Sequence, residues 1–328
     1  MKKFINNPET VVSEMIDGMI LAHPHLIKKV AGTHALVRTT PKHGKVALVS
    51  GGGSGHEPSH AGYIGEGMLD GAVAGEVFTS PTPDQIYEAI RAVDNGHGTL
   101  LIVKNYSGDV MNFEMAAELA AADGMTTAMV IVGDDVAVQE KEQRRGIAGT
   151  VLVHKIAGAA AEQGKSLHDV KRVAEKVIEN VRTMGVSLTP CTVPAVGKPG
   201  FDIGDEEMEL GMGIHGEQGV KRTPLTRADQ VAETLVKNIL DDMPIAAGSS
   251  VLVMINGLGA TPNMELYILY RKIANMLSSQ GIKIYDALIG EYMTSLEMAG
   301  ASVTLLKLDE ELQSLFEAPA HTIAWRRP

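Results

Sequence analysis

Short runs rich in β-branched and aliphatic residues, at 46–50, 72–78, 99–104 and 126–132, each give way to a stretch with helical spacing, as at 83–93 and 111–122. Strand, loop and helix repeated in this order confine the chain to an α/β architecture, because parallel neighbours need a crossover and a helix is the usual one. In such sheets ligands gather at the carboxyl ends of the strands. Ahead of the series, Asn7 and Pro8 read as the start of a helix striped by Val11, Val12, Met15, Ile16, Met19 and Ile20. Beyond it, 146–164 and 166–184 read as two consecutive helices, the second striped by Val170, Val173, Ala174, Val177, Ile178 and Val181. The 186–196 segment returns to β-type residues. A glycine- and acid-rich loop at 197–219 then leads into a second series, with strands at 251–255, 283–287 and 303–308 and a helix at 262–277. The expected fold is two α/β units, 1–184 and 185–328, each a mainly parallel or mixed sheet flanked by helices, with a C-terminal tail that can pack on the first unit.

The charge balance narrows the partners. Forty Asp plus Glu against 29 Lys plus Arg leave a formal charge of −11, which repels nucleic-acid phosphates and anionic lipid. No run approaches the ~18 unbroken apolar residues of a membrane helix, and the N-terminus turns polar at Asn6 before any signal-like segment develops. Neither a nucleic-acid nor a membrane partner is expected, and the expected location is cytoplasmic. The single cysteine, Cys191, reads as packed, since it can form neither an intrachain disulfide nor a thiolate cluster.

Three segments carry chemistry-bearing residues. In the first, Gly51, Gly52, Gly53 and Gly55 crowd the end of a strand and run into His56-Glu57-Pro58-Ser59-His60. Glycines so dense let a backbone approach a ligand and aim N–H groups at it, so a ligand-binding loop is expected. It is not a dinucleotide fingerprint, because Pro58 stands where the third glycine belongs. The H-E-x-x-H spelling suggests a zinc protease, but Pro58 belongs in a helix's first turn, which leaves His56 outside the helix and off the face of His60. The same G-x-G-x-x-P pattern recurs at 257–262 after another strand, so a helix is expected behind each copy.

The second segment, Lys104 to Asp109, again ends a strand ahead of a helix. Asp109 reads either as a helix cap or as a carboxylate held charged by the helix dipole and able to accept a proton from a substrate hydroxyl. The third is Gly211-Met212-Gly213-Ile214-His215-Gly216-Glu217-Gln218-Gly219, where flanking glycines leave the imidazole of His215 accessible, although a lone histidine is more often structural. The remaining histidines, His154 among them, are given no chemistry. The acidic run Asp202, Asp205, Glu206, Glu207 and Glu209 reads as a solvated cluster and no metal is assigned to it. No nucleotide cradle is present either, since the Gly-Lys-Ser at 164–166 has Ala159 where a phosphate loop requires glycine.

Taken together and in this order, 51–60, Asn105 to Asp109 and Gly213 to Glu217 resemble the dihydroxyacetone-binding subunits of dihydroxyacetone kinases, and the likeness spans nearly the whole chain. The resemblance implies that a ring nitrogen of His215 adds to the ketone carbon of dihydroxyacetone to form a hemiaminal. It implies that Asp109 is the base taking the proton of the attacking hydroxyl, and that His56 hydrogen-bonds the substrate and helps proton transfer. Gly53, Ser80 and Lys104 correspond to substrate-contacting positions. A tether of this kind fixes a small, flexible triose for transfer and excludes glycerol, which has no carbonyl. The resemblance further implies no cofactor on this chain. ADP or ATP with magnesium belongs to a separate nucleotide-binding kinase subunit, recharged from phosphoenolpyruvate through a phosphocarrier protein of the phosphotransferase system, and the chain itself forms a homodimer. The alternative within the resemblance is an inactive paralogue that binds dihydroxyacetone and acts as a transcriptional coactivator.

Overall fold

In a computed structural model the described residues are 2–216 and 219–328. The first sheet contains β1 (Ile27–Lys29), β2 (Ala35–Arg38), β3 (Ala47–Ser54), β4 (Gly71–Val77), β5 (Thr99–Lys104) and β6 (Thr127–Val132), in the order β1-β2-β4-β3-β5-β6. Strands β4, β3, β5 and β6 run parallel, and β2 and β1 extend the edge antiparallel. The second sheet contains β7 (Val181–Ser187), β8 (Glu207–Leu210), β9 (Lys221–Pro224), β10 (Ser250–Gly257), β11 (Lys283–Gly290) and β12 (Gly300–Leu308), in the order β11-β10-β12-β7-β8-β9. There only β10 and β11 are parallel.

Alternation along the strands decides how the layers stack. In β3 and β5, Val49, Leu101 and Val103 face α2 (Pro83–Val93) and α3 (Ser107–Ala122) through Ile86, Ile90, Phe113 and Ala116. Their neighbours Leu48, Leu100 and Ile102 point the other way, into a core shared with α1 (Val11–Ala22), α4 (Thr150–Glu162) and α5 (Leu167–Asn180). Leu252 and Met254 of β10 and Leu306 of β12 enter that same core, so α4 and α5 lie between the two sheets. This is why α4 is buried on every side from Thr150 to Ala161 and why its sequence is mostly apolar, with His154 and Lys155 enclosed among its aliphatic residues. The outer face of the second sheet, Val251, Val253 and Ile255, packs on α6 (Ala228–Asp242) and α7 (Asn263–Ser279). Helix α8 (Glu310–Glu317) and the two-residue pair of β13 (Ala320–His321) and β14 (Arg326–Arg327) close the chain. His321 N–H donates to Glu66 O at 2.9 Å and Ala324 N–H to Gly62 O at 2.9 Å, laying the tail against the first sheet's 62–67 segment. No helix among the described residues is long and apolar enough to cross a membrane.

Several sequence expectations give way to tertiary pairing. The helix expected to reach residue 184 stops at Asn180, and Val181–Ser187 pair with β12 instead. Val181 continues the stripe of Val177 and also suits a strand, so periodicity alone is blind to the break. The first helix starts at Val11, because Asn7 closes a turn by accepting from Glu9 N–H through its side chain and from Thr10 N–H through its carbonyl. Behind Pro58 there is a three-residue 3₁₀ turn, Ala61–Tyr63, whereas behind Pro262 α7 forms as expected. The 55–59 stretch is committed elsewhere: Leu296 N–H donates to Gly55 O, Thr294 N–H to His56 O, and Ser59 Oγ to Tyr292 O.

Candidate functional site

Strands β3 and β5 end side by side, and each delivers part of the site. The glycine-rich segment expected to be a loop is still strand, with Gly51, Gly52 and Gly53 registered against Val73, Ala74 and Gly75 of β4. Glycine is demanded here by close approach. A Cβ at Gly53 would lie 2.6 Å from Thr79 N, and one at Gly52, whose φ is +155°, would fall on Lys104 Nζ. Lys104, the last residue of β5, is fully buried, and its ammonium lies 3.4 Å from Asp109 Oδ2. Asp109 is not the cap of α3; it is the third helical residue and turns inward. The lysine and the positive end of α3 supply the countercharge that a buried carboxylate requires. Its other oxygen, Oδ1, is buried without a hydrogen-bond partner among the described residues. Ser80 rests on the first turn of α3, where a Cβ on Gly108 would stand 2.8 Å from its hydroxyl.

Above this floor the aromatic residues meet. His56 is fully buried and its Nδ1 lies 2.8 Å from Thr294 O. A carbonyl only accepts, so Nδ1 carries the proton and Nε2 presents a lone pair, again with no partner among the described residues. Burial first, then the nearby His215 and Lys104, hold His56 well below the usual imidazole range, so it is neutral. Phe78 stacks on His56 at 5.1 Å from a left-handed backbone with φ of +57°, a conformation bulky residues rarely adopt and one concentrated at ligand sites.

His215, on the loop after β8, brings the second sheet into the site. Its ring sits edge-on to Tyr106 at 4.4 Å, to His56 at 4.8 Å and to Phe78 at 5.4 Å. Burial lowers its pKa to about 3, with Lys104 and then Arg145 acting in the same direction. The imidazole is therefore unprotonated at neutral pH and can act as a nucleophile. Glu217, which closes the motif around His215, lies outside the described residues, as does Gln218.

All six expected residues gather within this one region. Phe78 and Tyr106 belong to the same aromatic enclosure and carried no assignment from sequence; each follows the end of a strand, and Tyr106 lies inside the 105–109 motif. The H-E-x-x-H pair is divided. His56 faces His215, while His60 turns to His154, with its Nδ1 3.0 Å from His154 Nε2. Among the described residues no three His, Cys, Asp or Glu are placed to hold a metal ion. In the acidic run, Glu209 is buried on β8 and accepts from Arg222 Nε at 2.8 Å.

Comparison with known proteins agrees across the chain. The model of the Dak1 domain matches residues 17–324. The chain is 53% identical over 329 residues to the dihydroxyacetone-binding subunit of PTS-dependent dihydroxyacetone kinase 1 from Listeria innocua, covering 99% of this chain and 100% of that one. The dihydroxyacetone kinase from C. freundii, solved in complex with AMP-PNP and Mg²⁺, superposes with a TM-score of 0.93 at 39% identity over 100% of this chain and 61% of that one. A dihydroxyacetone kinase operon co-activator superposes with a TM-score of 0.92 at 33% identity, covering 96% and 98%. By this near-complete family match and by more than half identity along the whole of a relative, the chain belongs to the Dak1 domain family.

Proposed function

We propose that this chain is the dihydroxyacetone-binding subunit of a dihydroxyacetone kinase, holding its substrate as a covalent hemiaminal on His215. The observation that carries the reading is the 4.8 Å contact between His56 and His215, which sets a neutral nucleophile beside a neutral proton carrier, next to the buried Lys104–Asp109 pair. A ring nitrogen of His215 bonds to the ketone carbon, the carbonyl pair moves to oxygen, and the ring's other N–H proton passes to that oxygen with His56 Nε2 as relay, so no water is lost. Gly53, Ser80 and Lys104 then fix the hydroxymethyl groups. Asp109 Oδ1 accepts the hydroxyl proton as the oxygen–phosphorus bond forms and the bond to the departing nucleotide breaks. In this reading the substrate lies between residues 1–184, with the glycine-rich segment and Asp109, and residues 185–328, with His215.

The phosphoryl donor comes from a second subunit carrying ADP or ATP with magnesium, recharged from phosphoenolpyruvate through a phosphocarrier protein. Two relatives support this division. The Listeria innocua protein is named as one subunit of a PTS-dependent kinase, and this chain spans 61% of a kinase solved with AMP-PNP and Mg²⁺. The chain works in the cytoplasm as a homodimer. The co-activator of like fold keeps a second reading in view, a sensor that binds dihydroxyacetone without turnover. Mixing this chain with an active nucleotide-binding subunit and a recharging system separates the two: the kinase reading expects dihydroxyacetone phosphate, and binding without product contradicts it.

Two further outcomes are expected. His56→Asn keeps a donor toward Thr294 O but loses the relay atom, so turnover falls about a hundredfold while the thermal midpoint moves only a few degrees; a collapsed midpoint assigns His56 to structure instead. The neutrality of His215 also sets a pH dependence. The neutral form of an exposed imidazole falls about 25-fold between pH 7 and pH 5, whereas a ring titrating near 3 stays neutral over that range. Adduct yield at pH 5 should match that at pH 7 within about twofold, and a steep loss through pH 6 contradicts the assignment.

A further inference from the structure

Arg145 lies on the segment joining β6 to α4 and reaches the loop that carries His215. Its Nε donates to Asp135 Oδ2 at 2.8 Å and its Nη2 to the carbonyl of Gly211 at 2.7 Å. Asp135 is itself fixed, with its side chain fully buried, its Oδ1 accepting from Ala137 N–H at 3.0 Å and its own N–H donating to Arg145 O at 3.2 Å. Gly211 is the first residue beyond β8 and the entry to the His215 loop. Its N–H is bound to Gly185 O at 2.8 Å, its φ is +69°, and a Cβ there would stand 2.6 Å from both Ala137 and Val220. The entry of the loop is thus gripped from the second sheet by β7 and from the first sheet's side by Arg145. A glycine-rich loop has little stiffness of its own, so where its histidine points depends on such anchors.

We propose that Arg145, clamped by Asp135, is a positioning residue for the tether: it fixes the carbonyl of Gly211 so that the imidazole of His215 meets the ketone between His56 and Tyr106. The inference rests on the reading of His215 as the tether. The charge of Arg145 acts in the same sense, since it joins burial and Lys104 in keeping the ring unprotonated, and His56 and Tyr106 also face that ring. Positioning of this kind acts on formation of the adduct and leaves the proton transfer at Asp109 untouched, which gives it a kinetic signature that a purely structural role lacks.

The test uses the full chain with its nucleotide-binding subunit and dihydroxyacetone labelled with ¹³C at the carbonyl carbon. Arg145→Gln removes both the charge and the paired donors. It is expected to weaken adduct formation and raise KM about tenfold, with kcat at saturating substrate within about threefold of the unmodified chain and a thermal midpoint shifted by only a few degrees. Arg145→Lys keeps the charge but cannot reach both acceptors, and is expected to recover part of the affinity. If Arg145→Gln does not fold, Asp135→Asn, which releases the clamp without removing the arginine, is read in the same way. Adduct formation unchanged in these variants overturns the inference alone, as does a parallel loss of kcat and thermal midpoint. An unmodified chain that shows no tetrahedral carbon overturns the tether and this inference with it.

Discussion

Replacing His215 with alanine is expected to abolish the covalent adduct completely. The unmodified chain, soaked in dihydroxyacetone, should gain the mass of one intact triose, and His215→Ala should gain none. The size of the effect follows from what the tether supplies. Dihydroxyacetone has few atoms with which to make contacts, so without a covalent bond the reacting hydroxymethyl keeps most of its freedom. Turnover at low substrate should therefore fall about a thousandfold or more. Folding should be little affected, because His215 is only half-buried and sits on a loop between β8 and β9. An adduct of unchanged mass in the variant places the tether on another nucleophile.

Asp109→Asn should separate holding the substrate from transferring phosphate. The amide keeps the shape of the carboxylate and can still meet the Lys104 ammonium through its oxygen, so adduct formation should stay within about threefold. It cannot accept the hydroxyl proton, and kcat should fall by about a hundredfold to ten-thousandfold. Turnover within about tenfold of the unmodified chain would contradict the role of Asp109 as base. The two variants thus fail in different places. His215→Ala loses binding and turnover together, whereas Asp109→Asn binds a substrate that it does not turn over.

The parts of this molecule legible in the sequence are those decided locally. Alternating strand and helix signals marked β3 to β6 of the first sheet and β10, β11 and β12 of the second, because β5 and β10 are apolar runs of strand length followed by helical stripes. The motifs at 51–60, 105–109 and 213–217 each set glycine beside a proton-active side chain, and it was their joint resemblance to one family that implied a shared site. What stayed hidden depends on contacts between distant residues. His60 and His154 lie 94 positions apart, and Arg145 and the Gly211 carbonyl 66, with no motif to join them. Gly51 to Gly53 read as loop by composition, yet they pair with Val73 to Gly75 as strand, and glycine is needed because the Val73 and Phe78–Thr79 backbone and the Lys104 ammonium leave no room for a side chain. Val181 fits a helix stripe and a strand equally, and pairing with β12 decided it. The short strands β1, β2, β8 and β9 escaped notice because three or four residues carry too little periodicity to be read.

Carbon-13 spectroscopy of the unmodified chain with carbonyl-labelled dihydroxyacetone reports the bonding of the ketone carbon itself. The bound label should leave the carbonyl region and appear among tetrahedral carbons bearing nitrogen and oxygen, in one-to-one ratio with the chain and with a coupling to nitrogen when the histidines carry ¹⁵N. A label that stays in the carbonyl region while bound, or a tetrahedral carbon that lacks the nitrogen coupling, would contradict the hemiaminal on His215.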